Sequence, residues 1–445
     1  AMAAAGAAVG VVGGMAISAG SDFESAFAGV RKTVDATEEQ FAELEDRLRD
    51  MAKNKPQTAV ELAEIAEAAG QLGIHTENIA EFTDVMADLK VATNLGDEGA
   101  SQFAKFANIV DMSQDKFSNL GSTVVALGNN MATTEADIVE MGMRLAGAGK
   151  QVGMSEGDIM GFAAALSSVG IEAEAGGSAM SKMMVNMQLA VETGADAWAE
   201  IDASMERTGH TREQAEHAVA EGGKALNNFA ASVGWNAKQL KASVKEAQDS
   251  AGSLQDFADV ANMTSEEFAN AFKDNAAGAL SAFISGLNDT ERLGQSAIVT
   301  LDNMDIKEVR LRDTLLRAAN ASGLFSDALT LANTSFDENT ALTKEAEQRY
   351  KTFESRLDMV KNRVTDVGIS LYQDFRDPLS DCLDIALDFT NDASLFDGKF
   401  VEGMAKEFKK NIPTIVRELG EAKDSITDFA EPLLKVGGWM MEHPD

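Results

Sequence analysis

The sequence predicts an all-α protein: an irregular array of short helical hairpins turned at glycine corners, followed by a long heptad-patterned helix. Three observations predict it. The chain has 445 residues and only 5 prolines, none of them between Pro56 and Pro378. Alanine, glutamate, leucine and methionine, all strong helix formers, dominate the composition. Apolar residues recur at steps of three and four, the period of a helix face.

The elements follow in order. The first twenty residues, AMAAAGAAVGVVGGMAISAG, carry no charged side chain. They lack the basic start of a signal peptide. Their length would span a bilayer, but alanine and glycine supply little transfer energy. Gly6, Gly10 and Gly14 form consecutive G-x-x-x-G steps that let helices approach closely. The favoured reading is a helix packed against protein, with membrane insertion the alternative. Next, Thr37 and Gln40 form a capping box before Phe41, Leu44, Leu48 and Met51 on one face. Pro56 breaks that helix, and Thr58 with Glu61 opens the next. Thr76, Ser113, Thr134, Ser155 and the Thr264–Glu267 box mark further starts.

The stretch RLAGAGKQVGMSEG, residues 144–157, resembles a phosphate loop but lacks its spacing. A P-loop places a glycine five positions before the glycine–lysine pair and a hydroxyl after it. Here Arg144 and Gln151 occupy those positions. The stretch is instead a helix corner that occurs twice. LGIHTENIAEF (72–82) and VGMSEGDIMGF (152–162) align without a gap, matching Gly73 to Gly153 and Phe82 to Phe162. Glycine supplies the positive φ of a helix C-terminus. Corners are therefore expected at Gly73, Gly96, Gly149, Gly153 and Gly170. A second echo aligns LNNFAASVGWNAKQL (226–240) with LQDFADVANMTSEEF (254–268).

From residue 340 the pattern changes. Tyr350, Phe353, Leu357, Val360, Val364, Val367 and Leu371 are separated by steps of 3, 4, 3, 4, 3 and 4, a sustained seam with basic residues beside it. A helix of about 35 residues, ended by Pro378, is expected there. Its seam needs a partner helix, from the same chain or from a copy of it, and a homo-oligomer, a trimer or hexamer, is expected. The predicted segments are 1–20, an Ala/Gly-rich uncharged helix; 21–194, a helical core; 195–252, inserted helices; 253–339, a second helical subdomain; 340–377, the heptad helix; and 378–445, C-terminal helices with a linker. The chain reads as a piece of a longer protein.

Composition excludes several functions. A formal charge of −34 opposes DNA and anionic surfaces, so no specific nucleic-acid binding is expected. The single cysteine, Cys382, rules out an internal disulfide and a Cys-based zinc site, and reads as a small core residue. His210 and His217 share a helix face with Glu213 but lie about 10 Å apart along the axis, too far for one zinc. A solvated face is favoured. No H-E-x-x-H or G-x-S-x-G motif occurs. DFTNDASLFDG (388–398) lacks the ordered ligands of a calcium loop and reads as a linker. The methionines of MSKMMVNM (180–187) read as core filling. No catalytic, cofactor or metal residue is predicted, and no enzyme.

Three blocks, in order, carry a family resemblance. SDFESAFAGVRKTVDATEEQFAELEDRLRDMAKNKPQTAVELAEIAEAAGQLGI, then VGMSEGDIMGFAAALSSVGIEAEAGGSAMSKM, then FADVANMTSEEFANAFKDNAAGALSAFISGL with its continuation through ENTALTKEAEQRYKTFESRLDMVKN, resemble the core of phage tail tape measure proteins. The likeness spans roughly residues 20–375, departs at 195–252 and fades beyond 380. It implies a structural protein of a phage or prophage tail that sets tail length, templates tube assembly and is ejected during DNA delivery. It implies the tail tube protein, tail assembly chaperones and tail tip proteins as partners. The implied location is the tube lumen or tip of the virion, with the host cytoplasm during assembly. Host membrane contact on ejection, through residues 1–20 as a channel-forming segment, is the alternative role.

Overall fold

The computed structural model describes residues 2–96 and 98–390, with side-chain surroundings from 17 to 373 and at 376, positions 97 and 100 apart. The protein is all-α, with no strand among the described residues. The chain divides into two units, residues 1–87 with 347–445, and residues 88–346.

The helices are α1 (Met2–Thr33), α2 (Glu38–Asn54), α3 (Ala59–Gln71), α4 (Ile79–Ala92), α5 (Gly99–Val110), α6 (Phe117–Asn130), α7 (Glu135–Gln151), α8 (Glu156–Ser168), α9 (Ala173–Gly194) and α10 (Ala199–Thr208). They continue as α11 (Arg212–Glu221), α12 (Gly223–Ser232), α13 (Ala237–Ala261), α14 (Ser265–Asp274), α15 (Ala276–Asn288), α16 (Ala297–Asn303), α17 (Val309–Asn320), α18 (Ser322–Glu338), α19 (Ala341–Tyr350) and α20 (Phe353–Thr390). Capping boxes at Thr37, Thr58, Ser155, Thr211 and Thr264 satisfy orphan amides of the first turns.

One corner recurs through the chain. At Gly73 the N–H bonds the carbonyl of Gly70, and the next N–H, of Ile74, bonds that of Ala69. At Gly153 the same two bonds join Lys150 and Gly149. This is the Schellman arrangement, with the left-handed residue just past the helix. It repeats at Gly170, Gly209, Gly234, Asn262 and Asp305. The residue after the left-handed one is apolar or aromatic, as in Ile74, Met154, Ile171, Trp235, Met263 and Ile306. After Gly153, Gly209, Gly234 and Asn262 the next residue, Ser155, Thr211, Asn236 or Thr264, caps the following helix with its side chain.

In the second unit α8 is the central helix. Gly157 and every residue from Ile159 to Leu166 are buried. A helix apolar all round needs neighbours all round, and α6, α7 and α18 supply them. Small residues bring the backbones close: a Cβ on Gly161 would lie 3.1 Å from the Ala328 carbonyl oxygen of α18. Polar bonds fix α6 to the same helix, Ser118 and Ser122 donating to Asn339 and Asn119 to the Phe336 carbonyl. Met180, Met183, Met184 and Met187 of α9 are all buried.

Helices α10 to α12 close a core of their own with the first half of α13, around Ile201, Met205, Ala215, Leu226, Leu240 and Val244. The second half of α13 belongs elsewhere. Its Phe257 packs on Phe268 of α14 and Phe283 of α15. The expected segment boundary at 252 therefore falls inside a helix shared by two cores. The boundary at 20 also falls inside a helix, because α1 runs unbroken from Met2 to Thr33. Gly20 is not a stop there. Its missing Cβ leaves room for the ring of Tyr372 on α20.

The heptad region differs from expectation in two ways. First, it is interrupted: α19 ends at Tyr350 and α20 starts at Phe353. Thr352 is the reason, since its hydroxyl caps the new helix by accepting from the Ser355 N–H. Second, α20 continues through Pro378 to Thr390. Proline removes one backbone donor from the ladder, and here the helix resumes beyond it. Cys382 and the 392–399 linker lie outside the residues whose side chains are described.

Candidate functional site

The first unit holds a polar clasp that joins distant parts of the sequence. Leu44, Leu48 and Ala52 turn the apolar face of α2 inward, and Arg49 is buried beside them. Arg49 Nε donates to Asp366 Oδ1 of α20 at 2.7 Å. Its other nitrogens reach Gln373 Oε1, the Ser370 hydroxyl and the Asp366 carbonyl. Lys53 pairs with the second Asp366 oxygen at 3.1 Å. One turn earlier on α20, buried Asn362 donates its amide to the carbonyls of Lys55, Pro56 and Gln57, 2.8–3.2 Å away. The Pro56 turn has no helix ladder to satisfy those carbonyls, and Asn362 does so instead.

Beside the clasp, α1, α2 and α20 enclose a cavity of about 350 Å³, lined in part by Phe23, Phe27, Glu45 and Ile369. Its polar groups engage one another. Tyr372 donates to Glu24 at 2.6 Å, Gln373 donates to Glu45, and Arg31 pairs with Glu38. Burial pushes the Glu45 carboxyl above its usual range, against the opposing pull of Arg49. The Glu24 carboxylate, with burial, raises the Tyr372 hydroxyl.

Of the predicted seam, Phe353 to Leu371 lie on α20. Tyr350 lies before the helix break, with Lys55 over its ring at 5.6 Å. Phe353 is 70% and Leu357 39% exposed. Val360, Val364 and Val367 are half-buried and Leu371 is buried.

Of the predicted corner glycines, Gly73, Gly153 and Gly170 occupy left-handed corners. Gly96 is also left-handed but lies beyond the end of α4 at Ala92. Gly149 is not a corner. It sits within α7, where its missing Cβ admits Ile159 of α8 and its carbonyl receives the Met154 N–H. Gly6, Gly10 and Gly14 lie on α1, outside the residues whose surroundings are described. Among the described residues no helix is long and apolar enough to cross a membrane.

His210 and His217 line one open groove on α11 and α12 with Glu213 and Phe229. His210 sits edge-on to Phe229 and bonds Gln214 and Ser232, which ties a corner to α12. His217 lies 3.8 Å from Glu221. Among the described residues no three His, Cys, Asp or Glu side chains are grouped to hold a metal ion. The clasp escaped sequence reasoning because Arg49 and Asp366 are 317 positions apart. A basic residue on the apolar face of α2 is the one local signal that pointed to it.

The family model described as phage-related minor tail protein matches residues 45–219. This match supports a structural role in a phage tail, as a component of the virion. It runs from α2, which carries Arg49, through the α8 core into α11. No curated protein and no solved structure matches the chain.

Proposed function

We propose that this chain is a segment of a tape measure protein, which sets tail length, guides assembly of the tail tube and leaves the particle ahead of the DNA. The observation that carries the reading is the minor tail protein match over residues 45–219, set in a chain built from short helices joined at repeated corners. Each corner is local, made by residues within one or two turns, so it can survive when the helices around it separate. A chain of such joints can be drawn into a file inside a tube. Its charge of −34 keeps it from adhering to the DNA that follows. The tail tube protein, tail assembly chaperones and tail tip proteins are the partners this role requires.

The test is genetic. In-frame deletion or duplication of whole helix–corner units should shorten or lengthen tails in proportion, as measured by electron microscopy. Tails of unchanged length would sink the ruler role.

A second reading draws on the uncharged start of the sequence. Residues 1–20 carry no charged side chain, and insertion of this stretch into the host membrane on ejection would make it a channel-forming segment. Leakage of liposomes by the protein, lost with Gly10→Glu, is the expected result. Intact liposomes at every pH would remove this reading.

A further inference from the structure

The cavity enclosed by α1, α2 and α20 has a charge left over. Three carboxylates line it, Glu24, Glu38 and Glu45, against two guanidinium groups, Arg31 and Arg376. Glu38 receives Arg31 on both oxygens, at 2.9 and 2.8 Å. Glu24 accepts from the Tyr372 hydroxyl on one oxygen, and its other oxygen lies 3.5 Å from Arg376. Glu45 differs. The Gln373 amide donates to its Oε1, but among the described residues no donor meets its Oε2. The arginines whose fields reach it, Arg49 and Arg31, are committed elsewhere. Arg49 is spent on Asp366, Gln373 and Ser370, and Arg31 is held by Glu38 over the rings of Phe27 and Phe41. Glu45 is half-buried, and burial pushes its carboxyl above the usual range. A carboxylate drawn out of water, with one oxygen unused, gains from a cation.

The rest of the lining selects the kind of cation. A volume of about 350 Å³ is that of a small-molecule pocket, more than a bare ion fills. A metal ion needs several oxygens converging on one point. Among the described residues no three carboxylate, thiol or imidazole side chains are so grouped. The cavity also has an apolar wall, made by the buried side chains of Phe23, Phe27 and Ile369. An anion would have to draw Arg31 or Arg376 off its carboxylate, and would approach a chain of charge −34. A neutral guest would leave the Glu45 charge uncompensated. An ammonium group on a short aliphatic stem meets each condition. Its compact head gives Glu45 Oε2 a charged donor, and its stem covers the wall.

We propose that this cavity binds an aliphatic primary ammonium, with Glu45 taking its charge and Phe23, Phe27 and Ile369 covering its stem. The group comes either from a free amine or from a lysine side chain of another polypeptide. The assignment stands whether or not the chain measures a tail.

The test uses the full chain and pentylammonium, titrated at neutral pH and followed by saturation-transfer NMR. Pentylammonium should bind, and pentanoate and pentanol, which share its stem, should bind roughly tenfold more weakly or worse. Glu45→Gln should weaken pentylammonium by roughly tenfold or more. Ala28→Phe, which adds a ring to the cavity lining from an exposed position, should weaken it too. Neither variant should melt below the unaltered chain. An end-blocked Ala-Lys-Ala peptide separates the two sources. Tighter binding than pentylammonium points to a lysine of a polypeptide, and weaker binding to a free amine. Equal binding of the three pentyl probes would overturn the proposal, because the cavity would then not read charge. So would pentylammonium binding undiminished in Glu45→Gln or Ala28→Phe, or no binding at millimolar concentration.

Discussion

Helix α8 of the second unit and helix α20 of the first are both held by several neighbours, but by opposite means. The hold on α8 is apolar and close. It is buried from Ile159 to Leu166, and Phe162 packs on Phe325 with ring centroids 5.3 Å apart. The hold on α20 over its first half adds to the buried Ile369 and Leu371 a set of polar contacts: an ion pair, an amide on three carbonyls and hydrogen bonds to Gln373 and Ser370. Apolar burial is additive and indifferent to direction. Buried ion pairs depend on both partners, and losing one leaves the other stranded. The second unit should therefore fail gradually as its core is trimmed. The attachment of α20 should fail when any one member of the clasp is lost.

The largest effect is expected in the apolar region. Phe162→Ala removes a fully buried ring and should cost the second unit about 3–5 kcal/mol, read by urea denaturation. A loss under about 1 kcal/mol would mean that α8 is not the centre of that core. Next comes the clasp. Arg49→Met alone and Asp366→Leu alone should each cost about 3 kcal/mol. The double variant should cost much less than their sum, because no charge is left stranded. Lys53 remains beside Asp366 at 3.1 Å, which should make the arginine variant the milder of the two singles. Strict additivity in the double-mutant cycle would show that the pair is not a unit.

The two regions also differ in how far the sequence announces them. The corners are local, so a glycine followed by an apolar residue between two helical patterns reveals Gly73 and Gly153 directly. The corners at Asp111, Asn262 and Asp305 hide because a non-glycine residue holds the left-handed position. The capping boxes at Thr37, Thr58 and Thr264 were legible for the same local reason. The clasp was not, since nothing near Arg49 in the chain names Asp366. The seam was half legible. Its period is real sequence information, but the polar anchor on the other side of α20 and the Thr352 break depend on what the helix packs against. The reading of Gly149 as a corner failed because glycine serves two purposes. It permits a left-handed turn, or it removes a Cβ where another helix crosses.

That ambiguity gives a sharper pair of variants, smaller in effect. Gly153→Ala meets no atom within 4 Å but must hold φ near +80°, so backbone strain alone should cost about 1–2 kcal/mol. Gly149→Ala keeps helical geometry but brings a Cβ to 2.8 Å from Ile159, so crowding is its cost, about 1–3 kcal/mol. Ile159→Ala, which removes both the Cγ1 and the Cδ1 that the new Cβ would meet, should cost less beside Gly149→Ala than in the unaltered chain, and its full cost beside Gly153→Ala. If it costs the same beside both, the distinction between the two glycines is wrong.

The smallest effect concerns the polar region and has a pH signature. Burial raises the Glu45 carboxyl above its ordinary value of 4.5 in the folded protein. The native state then holds a proton more tightly than the unfolded chain does. Between the two pKa values the folded form binds more protons, so stability falls as pH rises through that window. At neutral pH the charged carboxylate remains a net cost, in spite of the attraction of Arg49 and the hydrogen bond from Gln373. Glu45→Gln keeps a hydrogen-bonding side chain of the same size without the charge. Its melting temperature should exceed that of the unaltered chain slightly at pH 7, and the difference should vanish below the ordinary carboxylate range, where Glu45 is protonated in both states. Should the variant melt lower at pH 7, the Glu45 charge would be holding Arg49 in place, and the clasp would include a second carboxylate beside Asp366.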